Sequence, residues 1–134
     1  MISRQPAPDK PMKCLTLNLL LFSVGGVYFG VDADQVDAMT AYQGEMQENT
    51  PWFHEVMGYG NQTVTYKCPT VITVKTADYQ MIIDSMEDIA EFSADDIRLL
   101  PPIVESFAVK RGIWGVLLRR KRMTLLLDLM CLPK

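Results

Sequence analysis

Few residues of this 134-residue chain are equipped for chemistry, and their spacing argues against it. His54 is the one histidine, and with Glu55 beside it the pair suggests acid–base work. No nucleophile or orienting group accompanies it, so a half-packed His54 is the better reading. Asp32 and Asp84 suggest a paired-carboxylate site. Each stands directly after a hairpin, which favours capping of turn N–H groups over catalysis. Cys14, Cys68 and Cys131 are far apart and odd in number. That pattern argues against a disulfide framework and against a zinc site. Cys14 and Cys131 lie among apolar residues and are expected as buried, reduced thiols. Gly25-Gly26 and Gly58-x-Gly60 lack the lysine and the strand–loop–helix setting of a phosphate-binding loop. No cofactor or metal is expected.

Lys110, Arg111 and the run Arg119 to Arg122 hold six of the thirteen basic residues. One reading is a site for nucleic acid or for an acidic partner, such as Asp84 to Asp96 of a second copy. The other is a solvated hairpin turn whose charges discourage edge pairing. Only Trp114 is an aromatic neighbour and the chain carries a net charge of −3, so the solvated turn is favoured and nucleic acid is not expected.

The elements that must position these residues are mostly strands. Leu17 to Met39 and Thr70 to Ile89 say nearly the same thing twice: strand, tight turn, strand, aspartate, acidic amphipathic stretch. The turns fall at Gly25-Gly26, whose glycines permit positive φ, and at Ala77-Asp78. Along Leu15 to Val24, Leu15, Leu17, Leu19 and Leu21 share one face, with Leu20 and Phe22 on the other. This strand is expected to be covered on both sides. A short helix from Asp34 would turn Val36 and Met39 toward a core. Ser93 is placed to cap the turn entering Ile97. Pro101-Pro102 is expected to stop any helix and impose an extended connector. Ile113 to Leu118 and Met123 to Leu129 form a third hairpin. Three hairpins with short helical turns describe a small β-barrel or a pair of them.

Thr40 to Asn61 is the least regular stretch. Pro51, with Asn49 or Thr50 as cap, could open a helix running to about Met57 and ended by Gly58 and Gly60. Trp52, Phe53, Met57 and Tyr59 are then either a plug for a core or an exposed contact. At 49% hydrophobic and 22% charged the composition is that of a globular chain. Residues 1–13, with three prolines, read as a disordered lead-in rather than a signal peptide, and 14–134 as a single domain of two related halves. No apolar run reaches the roughly 18 residues of a membrane span, so a cytoplasmic protein without membrane insertion is expected.

Three stretches together resemble the CheW-like coupling proteins of bacterial chemosensory systems. They are Leu21 to Asp32 followed by Gln35 to Met39; Val71 to Ile89, with Ile83-Asp84-Ser85-Met86; and Ile97 to Pro102 with Gly112 to Gly115 and Leu125 to Leu129. The resemblance implies a mostly β fold of two small SH3-like barrels around a shared apolar seam, which accounts for the internal echo. It also implies a non-enzymatic adaptor linking the chemoreceptor cytoplasmic tip to the regulatory domain of the chemotaxis histidine kinase through apolar grooves. The groove positions are Val36, Asp37 and Met39 in the first unit and Met86 in the second, with Trp52 and Phe53 as further contact candidates. The chain departs from the family in two places. A central segment like G-V-I-N-L-R-G-x-x-x-P-V-V-D-L is missing between Pro51 and Thr70, and Ala38 stands where a glutamate is usual. The first barrel would therefore be truncated with open edges, which predicts a homodimer, with strands exchanged as one form of it. The rival readings are a small ligand-sensing or regulatory barrel, and a nucleic-acid-binding barrel acting through Arg119 to Arg122.

Overall fold

The computed structural model describes residues 16–44, 49–60, 63–75, 79–119 and 121–132. The expected lead-in over 1–13, Cys14, the Ala77-Asp78 turn and Arg120 lie outside these. The strands are β1 (Thr16–Val24), β2 (Val27–Asp32), β3 (Val36–Ala41), β4 (Thr70–Val74), β5 (Tyr79–Ile83), β6 (Met86–Ser93), β7 (Ile97–Arg98), β8 (Ile113–Arg119) and β9 (Arg122–Leu127). Two helices join them, α1 (Phe53–Val56) and α2 (Pro102–Lys110).

One sheet runs β6-β1-β2-β9-β8-β7 and the other β3-β4-β5. All pairings are antiparallel except β2 with β9, a parallel pair that joins the first hairpin to the last. As the alternation predicts, β1 is buried on both faces. Leu20, Phe22 and Val24 enter a large core with Phe29, Val31, Ile72, Val74, Met81 and Ile83 between the two sheets. Leu17, Leu19 and Leu21 enter a smaller cluster with Phe92, Ile97, Leu117 and Leu126. That second cluster explains the shape of the six-stranded sheet. Phe92 belongs to one edge strand and Ile97 to the other, yet both touch the same leucines. The chain passes from β6 to β7 through a single turn, Ala94–Asp96. Ser93 and Ile97 can stand at most about 14 Å apart, whereas the edges of a flat six-stranded sheet would be about 24 Å apart. The sheet must therefore curl enough to bring Ser93 and Ile97 within that reach. No ladder joins β6 to β7 among the described residues. Gly30 serves this curvature, since a Cβ there would come within 3.2 Å of Leu126 Cδ2 and 3.3 Å of Leu21 Cδ2.

The second sheet has three strands among the described residues, with α1 following the segment beside β5. Trp52 makes an isolated parallel bridge to Ile82, a stub of a fourth strand, and the Ile82 N–H donates to the Pro51 carbonyl at 2.9 Å. Phe53 and Met57 then drop into the large core, where Phe53 meets Phe29 and Phe22 edge-on at centroid distances of 4.7 and 5.2 Å.

Four expectations need correction. The stretch after Asp34 is helical for one turn only, Ala33–Gln35, and Val36 to Ala41 is strand. Val36 and Met39 still both pack on the core, because the register shifts between Val36 and Ala38 and makes Asp37 a bulge. An extra residue in a strand turns an i, i+3 pair onto one face, as a helix does. The acidic stretch after Asp84 is likewise strand β6, held by β1. Pro102 opens a helix instead of preventing one. It takes the first helical position, where its fixed φ fits and its missing N–H is not needed, and Gly112 at φ +78° follows the helix end. Cys131 is exposed, because Leu129 and Leu132 take the buried places of the last turn while its thiol donates to Asp128 Oδ2 at 3.4 Å.

Candidate protein-docking surfaces

The two aspartates that echo each other are turn caps. Asp32 Oδ1 accepts the Asp34 N–H at 2.9 Å. Asp84 accepts from the backbone of Cys68 at 2.8 Å, Lys67 at 3.2 Å and Ser85 at 2.9 Å, and so ties the segment before β4 to the end of β5. Asp128 repeats the device by accepting the Met130 N–H, and Ser93 does so by accepting that of Asp95.

His54 sits in an aromatic group with Trp52, Tyr59 and Tyr66. Its backbone N–H donates to Tyr66 Oη at 3.1 Å, and its Nδ1 lies 2.9 Å from the same oxygen. Tyr42, directly after β3, meets Trp52 edge-on at 5.1 Å. Tyr59 donates to the Val24 carbonyl and Tyr79 to the Leu129 carbonyl. Burial, the largest cause in each case, raises the pKa of all three tyrosines, Tyr59, Tyr66 and Tyr79, with Tyr66 pushed up from 10.0 to about 12. The folded state therefore holds the phenol proton that the unfolded state releases. The stabilisation is complete below pH 10 and is lost as pH rises toward about 12. Denaturant midpoints recorded across that window should fall steadily, and Tyr66→Phe should flatten the fall.

The groove candidates do not form one site. Val36 and Met39 are half-buried on β3, an edge strand, with Asp37 exposed between them. Met86 is exposed at the start of β6, where it pairs with Phe22. Trp52 is half-buried beyond β5, at the opposite edge from β3. Phe53 has 0% exposure, so of the two readings of the Trp52–Tyr59 segment it takes the core one and presents no surface to a partner.

A larger exposed apolar feature was not anticipated. Leu99, Ile103, Val104, Phe107 and Val109 are all exposed, Leu99 by 80%, Ile103 by 84% and Phe107 by 68%. Ile103 and Phe107 are one turn apart on α2, and no residue of that helix is buried. The sequence carries its signal as a proline start, a glycine stop and apolar residues four apart, although a proline pair is equally the mark of a helix break. In the basic hairpin, the Arg122 guanidinium lies 3.9 Å over the Tyr28 ring and reaches Glu87 Oε1 at 3.5 Å, in keeping with a local role.

No protein-family model matches the sequence, and no curated protein matches it. Among solved structures the chain is similar to the scaffolding protein TtCheW from Thermoanaerobacter tengcongensis, with a TM-score of 0.63. The match covers 86% of this chain and 90% of that one at 15% identity. The fold is CheW-like. At this identity the likeness is one of architecture. The two sheets of the chain have six and three strands among the described residues. Among the described residues no helix is long and apolar enough to cross a membrane, and no group of His, Cys, Asp and Glu is arranged to hold a metal ion.

Proposed function

We propose that the chain is a non-enzymatic adaptor of bacterial chemosensory signalling, acting in the cytoplasm by docking onto the chemotaxis histidine kinase regulatory domain, the chemoreceptor cytoplasmic tip, or both. The observation that carries this reading is the apolar stripe of Leu99 and α2 on a CheW-like fold. Five of the eleven residues from Leu99 to Val109 are large, apolar and exposed. An exposed cluster of this kind marks a protein-interaction surface more often than an accident of packing. Val36, Met39 and Met86 supply smaller apolar steps at the edges of the two sheets, and charged rims, Asp37 among them, would set orientation. A homodimer belongs to the same reading, with a second copy adding along β3, whose described pairing is with β4 alone. The test is a titration of the chain against the purified kinase regulatory domain and against a receptor-tip fragment, with sedimentation to read the chain's own size. Binding to either, weakened about tenfold by Met86→Ser or Met39→Ser, is the expected result. No binding to either, together with a ligand-dependent rise in melting temperature, would replace the adaptor by a sensing domain.

A further inference from the structure

The two ends of the parallel β2–β9 pair are built from the same kinds of residue, but among the described residues only one end contains a cation. At the end where the strands begin, Tyr28 provides an aromatic face, Arg122 lies 3.9 Å over it, and Glu87 supplies a carboxylate 3.5 Å from the guanidinium. Where the strands end, Val31 pairs with Leu127, so Asp32 and Asp128 follow on the next rung of adjacent parallel strands. Both line a cavity of about 230 Å³ with Leu17, Leu19, Gln35, Trp114 and Leu127. Trp114 is the bulged residue between Ile113 and Gly115, and its side chain is 39% exposed. The cavity thus has an aromatic side chain, two carboxylates and an apolar wall, with no basic residue in its lining among the described residues.

The carboxylates are set in place by the fold. Asp128 Oδ1 accepts from Gln35 Nε2 and from the Met130 N–H, both at 2.9 Å, while Gln35 Oε1 accepts the Leu129 N–H. Partial burial works against the charge of Asp128, but these hydrogen bonds and that of Cys131 outweigh it and hold the carboxyl below the usual range. Asp32 uses Oδ1 for its own turn, and among the described residues no donor is paired with its Oδ2.

We infer that this cavity is a receptor for a guanidinium group, supplied by an arginine side chain of a docking partner. A planar guanidinium stacks on an indole and divides its donors between two carboxylates, as a compact ammonium does not. The volume is below that of pockets for drug-sized ligands and suits the tip of one side chain. The partner as source rests on the adaptor reading, whereas the pocket's chemistry does not.

The probe is N-acetyl-arginine methylamide, titrated into the ¹⁵N-labelled chain while the indole N–H resonances of Trp52 and Trp114 are followed, with Trp114→Phe giving the assignment. The expected result is a saturable shift at Trp114 with a Kd on the order of 1 mM and none at Trp52. The Asp32→Asn/Asp128→Asn variant, which keeps both capping oxygens, should weaken it about tenfold. If that pair fails to fold, Asp32→Asn alone should still weaken binding. An unmoved Trp114 resonance, or equal binding of the uncharged citrulline or of the lysine analogue, would overturn the guanidinium site. Free-amide binding with partner binding unaffected by the aspartate variants would overturn the partner arginine as its source. Docking through α2 with a silent Trp114 would leave the adaptor standing and remove only the pocket.

Discussion

Phe53→Ala should destabilise the chain by about 3–5 kcal/mol, read as a lower urea midpoint without an intermediate. Phe53 has no exposed surface and forms the third member of a ring cluster with Phe22 and Phe29. Those two belong to β1 and β2 of the six-stranded sheet, so Phe53 joins the residues of β4 and β5 in the core that β1 and β2 share with them. Small domains have only about 5–15 kcal/mol in total, and losing a third of that by one truncation is a severe effect. Trp52→Ala should cost less, because its side chain is half-buried and its backbone contributes a single isolated bridge. If Phe53→Ala kept full stability and only dissociated an oligomer, the segment would be a contact and not a plug.

The double substitution Ile103→Ser and Phe107→Ser is expected to do the opposite, leaving stability within about 0.5 kcal/mol and removing partner binding. Both side chains are mostly in water and lie on one face of a helix with no buried residue. Anchors at the centre of an interface commonly cost about 2 kcal/mol or more each when truncated, so the pair should weaken binding by about a thousandfold. Calorimetry against the kinase domain and receptor fragment reads the affinity, and a urea melt reads the stability. Unchanged affinity would move the docking surface away from α2. A large loss of stability would mean that α2 is packed in solution against something other than a partner.

The two halves of the fold differed in how readable they were. The strand at Thr16–Val24 was plain, because leucines on both faces leave no alternative to a strand inside a sandwich. The caps at Asp32, Asp84 and Ser93 were plain because short polar side chains bond N–H groups one or two residues away. Val36 and Met39 misled, because a bulge at Asp37 gives a strand the residue spacing of a helix. Pro101-Pro102 misled because proline is compatible both with ending a helix and with starting one, and only the residues after it decide. Of the candidate contact residues, Val36, Met39 and Met86 sit at sheet edges, while Phe53 turned inward to fill the large core.

By itself the sequence determined the strands of the hairpins, the Gly25-Gly26 turn and the caps at Asp32, Asp84 and Ser93, since each depends on residues within a few positions of one another. Only the tertiary structure decided what stands beside what. The parallel pairing of β2 with β9 sets Asp32 next to Asp128 across most of the chain's length, and the bulge at Trp114 brings the indole to the same cavity. The exposure of α2 is of the same kind, because an apolar helix face is written in the residues but its covering is not. These features rest on long-range register and on how far the six-stranded sheet curls. No local pattern of residues carries that information.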